Sequence, residues 1–470
     1  MNIVRHEVKK LFNLKVLILI AVLCALFYLL FLEFYVSHYP NGHPATEMAD
    51  LMTEITQRYG TTVTAAEIEP FLAQRQAELE AEAEWHIQNN PRFAEAGIHS
   101  LADHQAMRQR QMTDEEWDLV WELNDYRTNG IGFRLYAVTI IQEYWDGVVS
   151  TLEREIGLEL IFNWFTGLVY SALDGEDLSA LIAQARDELE GQTCGVANIK
   201  RHYLLFLEDI PDSPSETRQS LLYDNLEYAY RAYPQRIPSN FGRQRMIEVL
   251  ETHQYRGTMD GGAFENTVRY FTYFSAMLML ATLLLISPLV TTDRMRNIHN
   301  LQYASKLGRR ILKRQVGAAL VATFILTTVL LGVFGGIYST TGVFMYLGHS
   351  TTSFHAHSRI TLFDMNFGLY LAIIVAMAYV LSLGTALVAF VISRFSRNLI
   401  TALLKVIPVF VVMFQVCMMV FRSAPLTLTS GLYRRTHVIG IEVMVCLAVL
   451  VFALGVALYI CWRERQVNVM

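Results

Sequence analysis

The sequence predicts an all-α membrane protein, in which six transmembrane helices carry a mostly helical extracytoplasmic domain between the first and second spans. Hydrophobic residues make up 53% of the 470 residues and charged residues only 17%, a balance unusual for a soluble chain. Six apolar runs are each long enough to cross a bilayer, which takes about 20 residues of helix. Between the first two runs lies a long acidic segment, 37–262, with 37 acidic and 17 basic residues.

The six runs are continuous rather than alternating, which predicts helices and excludes the strands of a membrane barrel. The stretch 156–170, IGLELIFNWFTGLVY, is also apolar, but it is short and contains Glu159 and Asn163. We interpret it as a core helix of the extracytoplasmic domain and not as a seventh span. The first run is too long for a signal peptide, and no cleavage pattern follows it. The predicted division is a cytoplasmic amphipathic helix at 1–15, transmembrane helices at 16–36, 267–290, 316–338, 367–392, 399–421 and 438–462, the extracytoplasmic domain at 37–266, a cytoplasmic loop at 291–315, and outer loops at 339–366 and 422–437.

The positive charges of the short loops predict the orientation of the chain. One side carries fifteen Lys and Arg residues, seven of them in 292–314, and the short loops of the other side carry four. Both termini and the 292–314 loop are therefore expected in the cytoplasm. The chain has five cysteines, of which only Cys194 lies in the predicted outer domain, and it has no N-x-[ST] acceptor. Both facts favour a bacterial cell membrane over a eukaryotic secretory route.

The segment before the first span, VRHEVKKLFNLK, places Val4, Val8, Leu11 and Phe12 on one helical face. This pattern predicts an amphipathic helix at the membrane surface. The alternative is a frayed basic start that only sets the topology. In the outer domain, Thr113 and Glu116 have the spacing of a capping box, and further helices are predicted over 177–191 and 214–234.

Motifs of the common catalytic sites are absent from the sequence. It contains no G-x-x-x-x-G-K-[ST] phosphate loop, no H-E-x-x-H zinc helix and no G-x-S-x-G nucleophile elbow. We therefore predict no enzyme activity, no cofactor in this chain and no nucleic-acid partner. His349, His355 and His357 lie close together in an outer loop. Loop histidines without a nearby carboxylate are more often solvated than metal-bound, so no metal site is predicted.

Ionisable residues within spans are costly in hydrocarbon and point to function. Glu442 lies inside the outer end of the sixth span, where a substrate path, helix pairing or a solvated position are all possible. Pro408 is expected to bend the fifth span. These two residues are the candidates for a substrate path. Lys405 is expected to extend its ammonium back to the cytoplasmic surface.

The densest positive charge of the chain lies in LQYASKLGRRILKRQ, 301–315, between the second and third spans. Ser305 is a plausible N-cap, and Leu307, Ile311 and Leu312 share one helical face while the cations line the others. This order predicts a short helix with an apolar side for the bundle and a cationic side for a partner. A lipid-headgroup anchor is the alternative interpretation. The candidate coupling residues are Ser305, Lys306, Leu307, Gly308, Arg309, Arg310, Leu312 and Lys313.

This loop resembles that of the type-2 permeases of ATP-binding-cassette exporters, particularly those of Gram-positive bacteria. In that family the loop after the second span reads approximately E-x-x-x-G-x-x-x-L-L-x-[ST]-[SP]-K-x-G-R-x-x-L-x-x-x-K. Here it reads DRMRNIHNLQYASKLGRRILKRQ, in which Asp293 stands for the acid and Asn297 replaces the glycine. The pattern is kept at Ser305, Lys306, Gly308, Arg309, Leu312 and, one residue early, Lys313.

The resemblance implies a permease that works as a dimer with a second copy or a paralogue. It also implies that ATP and Mg²⁺ are bound by a separate cytoplasmic ATPase subunit, which docks on the 301–315 loop. The leading hypothesis is therefore the transmembrane permease subunit of an ATP-driven exporter. The alternative is a membrane receptor or scaffold whose outer domain senses a ligand without transport. The sequence leaves the cargo open.

Overall fold

The computed structural model describes residues 2–125, 128–211, 215–232, 236–296, 298, 311–353 and 359–466. Helices predominate in these ranges, no extended strand is present in the described part of the chain, and Thr62 and Gly257 form an isolated antiparallel bridge. The predicted all-α fold class is confirmed. The helices are α1 Asn2–Leu11, α2 Leu14–Phe27, α3 Phe34–Ser37, α4 Ala45–Tyr59, α5 Ala65–Asn89, α6 Pro91–Glu95, α7 Leu101–Arg108, α8 Asp114–Glu122, α9 Ile131–Ile156, α10 Leu158–Leu173, α11 Leu178–Leu189, α12 Gly195–Glu208, α13 Glu216–Ala232, α14 Asn240–Glu251, α15 Gly261–Ile286, α16 Pro288–Met295, α17 Ile311–Ser339, α18 Phe367–Arg394, α19 Leu399–Phe421, α20 Gly431–Thr436 and α21 Ile441–Gln466.

The chain forms two compact units. The first comprises Met1–Gly42, Gly262–Gly348 and Met365–Met470, and the second comprises His43–Gly261 and His349–Asp364. Both main boundaries lie in segments rich in turn-forming residues, 37–44 and 256–262. The segment 349–364, which the sequence analysis assigned to a separate outer loop, belongs to the second unit.

Six helical segments of the first unit are long and apolar enough to cross a membrane. They are Leu14–Leu32, Gly261–Met295, Ile311–Ser339, Phe367–Arg394, Leu399–Phe421 and Ile441–Glu464. In the most apolar stretch of the second span 89% of the residues are buried, whereas in that of the first span 11% are buried. The second span is therefore the central helix of this unit. It contacts the third span through Tyr270 and Tyr338, whose rings stack with centroids 4.1 Å apart.

The fourth and sixth spans pack closely at a glycine. A Cβ on Gly384 would lie 3.1 Å from Val449 Cγ1 and 3.3 Å from the backbone of Leu450. A small residue is therefore required where these two backbones approach. The amphipathic helix α1 is shorter than predicted and ends at Leu11, because the Asn13 side chain accepts a hydrogen bond from the Lys15 amide (3.0 Å) and caps the next helix.

The second unit is built around α9, against which α4, α5, α12 and α14 pack. A Cβ on Gly195 in α12 would lie only 2.1 Å from the carbonyl oxygen of Ser150 in α9. The predicted capping box is present in α8, where Thr113 N donates to Glu116 Oε2 (2.9 Å) and Glu116 N donates to Thr113 Oγ1 (3.3 Å). At the end of α5 and in α6–α8, a small core forms around Phe93 and Leu119.

The apolar stretch 156–170 lies mainly in α10, which follows α9 after a bend of 62°. The pair α9–α10 meets the length and hydropathy criteria of a single broken span. Its apolar face, however, is occupied within the second unit: Ile161, Phe165 and Val169 are buried in one core with residues of α11, α12 and α13. This burial agrees with the interpretation of the stretch as a core helix.

Candidate functional site

Four side chains join the N-terminal helix to both ends of the loop 291–315, which we call the basic loop. We call this group of side chains the polar clamp: Glu7, Lys10, Asp293 and Gln315. Lys10 Nζ donates to Glu7 Oε1 (2.9 Å) and to Asp293 Oδ1 (3.2 Å). Gln315 Nε2 donates to Asp293 Oδ2 (3.1 Å) and to Glu7 Oε2 (3.3 Å). The clamp therefore connects α1, α16 at the end of the second span and α17 at the start of the third.

Three of the four side chains of the polar clamp are buried. Glu7, Asp293 and Gln315 are each less than 5% exposed, and the Lys10 side chain is one-third exposed at 33%. Burial acts to lower the pKa of Lys10, but its hydrogen bond to Glu7 and the negative charges of Glu7 and Asp293 outweigh burial and raise that pKa. Lys10 is therefore held in its charged form. Removing one partner would leave a buried charge uncompensated, which typically costs several kcal/mol.

A second set of polar contacts ties α16 to the end of the fourth span. The amides of Val290 and Thr291 in the first turn of α16 donate to Ser393 Oγ (2.9 and 3.2 Å). These amides have no partner within a helix this close to its start, so Ser393 caps α16 from another helix. Arg294 donates through its two terminal nitrogens to the carbonyl oxygens of Ser396 and Arg394 (3.0 Å each).

The sixth span joins the same end through an ion pair between Arg394 and Glu464. Lys405 of the fifth span donates to the carbonyl oxygen of Phe395 (2.9 Å), so its ammonium is turned towards the chain between the fourth and fifth spans. Polar contacts of α16, the third, fourth, fifth and sixth spans thus gather at one end of the first unit, which we call the basic end.

Of the predicted coupling residues, only Leu312 and Lys313 lie in the described part of the chain, in the first turn of α17. Leu312 is 3% exposed and lies among the core residues of the first unit, whereas Lys313 next to it is exposed. The opposite exposure of these two residues matches the predicted amphipathic pattern. Ser305, Lys306, Leu307, Gly308, Arg309 and Arg310 lie outside the described residues. Because Leu312 is packed inside the unit, it supports the base of the loop and is not available for contact with a partner.

The two candidates for a substrate path lie in different environments. Glu442 is fully buried; its Oε1 accepts a hydrogen bond from Ser430 Oγ, and its Oε2 has no hydrogen-bond partner among the described residues. Pro408 is exposed and lies within the continuous helix α19. No described contact joins the two residues. A buried carboxylate with one unsatisfied oxygen is costly in an apolar interior, so Glu442 remains the stronger candidate.

The central second span carries a group of polar side chains that was not predicted from the sequence. Tyr338 Oη donates to Asn266 Oδ1 (2.9 Å) and lies 2.9 Å from Thr267 Oγ1. Tyr270 Oη donates to the carbonyl oxygen of Phe334 (2.7 Å). All of these side chains are buried. They fix the second span against the third with directional bonds in addition to apolar packing.

Some residues of the polar clamp could have been recognised from the sequence. Glu7 interrupts the apolar face of α1 that holds Val4 and Leu11, three residues before it and four after it. A carboxylate on such a face signals a buried partner. Gln315 has no comparable signal, since it follows a run of basic residues at the start of a span.

Metal binding has no support in the described part of the chain, where no three His, Cys, Asp or Glu side chains are placed to share an ion. His349 is buried, and His355 and His357 lie outside the described residues. Comparisons of this chain with protein-family models, with curated proteins and with solved structures return no match.

Proposed function

We propose that this chain is the membrane-spanning permease subunit of an ATP-driven exporter of the ATP-binding-cassette type, powered by a separate ATPase subunit. The observation that supports the proposal best is the polar clamp. It ties both ends of the basic loop, through Asp293 and Gln315, to each other and to α1. A force applied by a partner to this loop would therefore act on the second and third spans together.

The position of the second span supports the same function. Of the six spans it has the largest share of buried residues in its most apolar stretch, 89%. It contacts the third span through the stacked rings of Tyr270 and Tyr338. It contacts the fifth span through the Cys417 thiol, which donates to the carbonyl oxygen of Thr272 (3.3 Å). A shift of this central helix would repack its neighbours. Under the proposal, ATP-driven closure of the partner moves the basic loop, and the second span transmits this motion into the bundle.

The partner is tested by co-purification and by charge reversal. The tagged chain, extracted from its native membrane in mild detergent, should bring down a subunit whose own sequence contains a phosphate loop and whose ATP hydrolysis is inhibited by vanadate. Lys313→Glu, combined with Arg309→Glu and Arg310→Glu, should release this subunit. Arg463→Glu, an exposed cation in the C-terminal part of the last helix, is the matched control and should retain it. Retention of the subunit by the triple variant would contradict docking on this loop.

The orientation is tested with the exposed Cys194 of the second unit. With Cys24, Cys417, Cys446 and Cys461 replaced by alanine, a membrane-impermeant maleimide should label Cys194 on intact cells. A cysteine placed at exposed position 313, in a chain that also lacks Cys194, should react only after the membrane is opened. The reverse pattern would place the second unit in the cytoplasm and exclude ATPase docking at the basic loop.

A second candidate function is a receptor that senses a ligand without transport, and one observation favours it. The second unit contains a polar cavity of about 280 Å³. The two functions differ in the need for a partner: a receptor would be purified without a stoichiometric ATPase, and the charge reversal would not change its composition.

A further inference from the structure

The cavity of the second unit is lined by charged side chains from three helices. Glu47, Asp50 and Glu54 come from successive turns of α4, Arg75 comes from α5, and Asn129 and Arg134 lie before and in the first turn of α9. The volume of about 280 Å³ suits a ligand of one or two amino-acid residues. All of these residues belong to the second unit.

The arginines of the cavity already have acidic partners. Arg75 pairs with Glu54 (2.8 Å) and with Glu78 (3.2 Å). Arg134 donates to Glu82 through one terminal nitrogen (3.4 Å), a long contact that leaves most of its five N–H donors for other acceptors. Arg75 and Glu54 therefore offset each other's charge on this side of the cavity.

Glu47 and Asp50 are compensated less, because the one ion-pair partner described for either of them is the imidazole of His43 beside Glu47. The Glu47 side chain is 10% exposed; its Oε1 bonds to the ring of His43, and its Oε2 is buried without a hydrogen-bond partner among the described residues. No described lysine or arginine pairs with either carboxylate. Burial and the neighbouring charge of Glu47 raise the pKa of Asp50 above its ordinary value. The cavity thus holds two neighbouring carboxylates that repel each other, of which Asp50 is exposed to solvent and Glu47 is nearly buried.

We propose that this cavity binds the ammonium group of a zwitterionic amino acid or short peptide. An ammonium group offers three donors and a positive charge, which would bond to the solvent-accessible Asp50 carboxylate and offset its repulsion with the neighbouring Glu47. The carboxylate of the same ligand has a partner in Arg134. A metal ion fits less well, since no third ligand is placed beside the two carboxylates in the described part of the chain.

The test uses the full-length protein in detergent micelles and a pool of Xaa-Ala dipeptides, with its N-acetylated counterpart, dipeptide amides and putrescine as comparison probes. Ligand binding is measured as a shift of the unfolding temperature and by titration calorimetry. The free dipeptides should bind, acetylation should abolish binding because it removes the ammonium charge, and amidation should weaken binding at least tenfold through loss of the Arg134 contact. Binding of putrescine in preference to the dipeptides would overturn the zwitterionic assignment.

The variants give a readout that does not depend on the choice of peptide. Glu47→Gln combined with Asp50→Asn should raise the unfolding temperature of the empty protein, because the repulsion is removed, and should lower dipeptide affinity at least tenfold. Asp187→Asn, an exposed carboxylate in α11, is the matched control and should change neither quantity. Equal binding by the double variant, equal binding of the acetylated pool, or absence of binding by all dipeptides would overturn the proposal. None of these outcomes depends on an ATPase partner.

Discussion

Gln315 Nε2 donates a hydrogen bond of 3.1 Å to Asp293 Oδ2, although 22 positions separate the two residues in the sequence. The densest basic segment of the chain lies entirely between them. Glu7 and Lys10 of α1 complete the same group. The N-terminal helix and the two ends of the basic loop are therefore held as one structural element, as the proposed coupling role requires.

Gln315→Leu should destabilise the first unit. The substitution removes the amide that donates to two buried carboxylates, and the loss is expected to cost about 1–3 kcal/mol. Unfolding of the first unit is followed with a thiol-reactive dye in a Cys194→Ser background. The remaining cysteines are buried in the first unit, so they react with the dye only when that unit unfolds; they are Cys24, Cys417, Cys446 and Cys461. Lys313→Gln, at an exposed position of the same helix, is the control. An unchanged unfolding temperature for Gln315→Leu would show that the clamp contributes little to stability.

Gly384→Leu should separate the fourth and sixth spans. Even a Cβ at this position would approach the Leu450 backbone to 3.3 Å, and a larger side chain has no room without displacement of a helix. Overpacking of this kind typically costs about 1–3 kcal/mol, and rigid backbone neighbours place this site at the upper end. Gly332→Leu is the matched control, since Gly332 is exposed and has no neighbour within 4 Å of its Cβ position. If both variants unfold at the same temperature in the dye assay, the close contact is not essential.

Two substitutions at Glu442 distinguish helix pairing from a role in a substrate path. Glu442→Gln keeps an acceptor for Ser430 Oγ and removes a buried charge, so the unfolding temperature should be unchanged or higher. Glu442→Leu leaves the buried Ser430 hydroxyl without this acceptor and should lose about 1 kcal/mol. Under the proposed export function, loss of transport by the stable Glu442→Gln variant would assign the carboxylate to the path, while full transport would leave it a structural role.

His104 should make the second unit sensitive to acid. Burial and then the nearby charge of Arg108 lower the pKa of this imidazole to about 4, and its side chain is 4% exposed. In the unfolded chain a histidine titrates near pH 6.5. Below that pH the unfolded state binds a proton that the folded state does not, so stability present above about pH 6.5 is lost as the pH falls towards 4, by about 3 kcal/mol at most.

The measurement is urea unfolding followed by tryptophan fluorescence at several pH values. Every tryptophan except Trp462 lies between residues 85 and 164, so the signal reports mainly on the second unit. His104→Leu should reduce the loss of stability between pH 7 and pH 4. Parallel pH profiles for the two proteins would assign the acid sensitivity to the carboxylates alone.

The sequence by itself determined the features that depend on neighbouring residues. The six spans could be located because a helix in a membrane satisfies its own backbone and needs only a continuous apolar run. The capping box of Thr113 and Glu116 is equally local, since its partners are three residues apart. The opposite exposure of Leu312 and Lys313 follows from helical periodicity, although the sequence did not reveal that Leu312 is packed inside the first unit.

Only the tertiary structure decided which distant side chains meet. Glu7 and Gln315 are 308 positions apart, and their contact depends on the rotation of α1 and of the third span about their own axes. A periodic pattern leaves that rotation undetermined for a polar residue at the edge of a face. The same holds for the approach of Gly384 to Leu450. It also holds for Thr361 of the second unit, whose carbonyl oxygen accepts a hydrogen bond from the buried Arg245 (3.1 Å). Apolar content determines that a segment is buried, but complementary shape and hydrogen bonding between whole helices determine its partner.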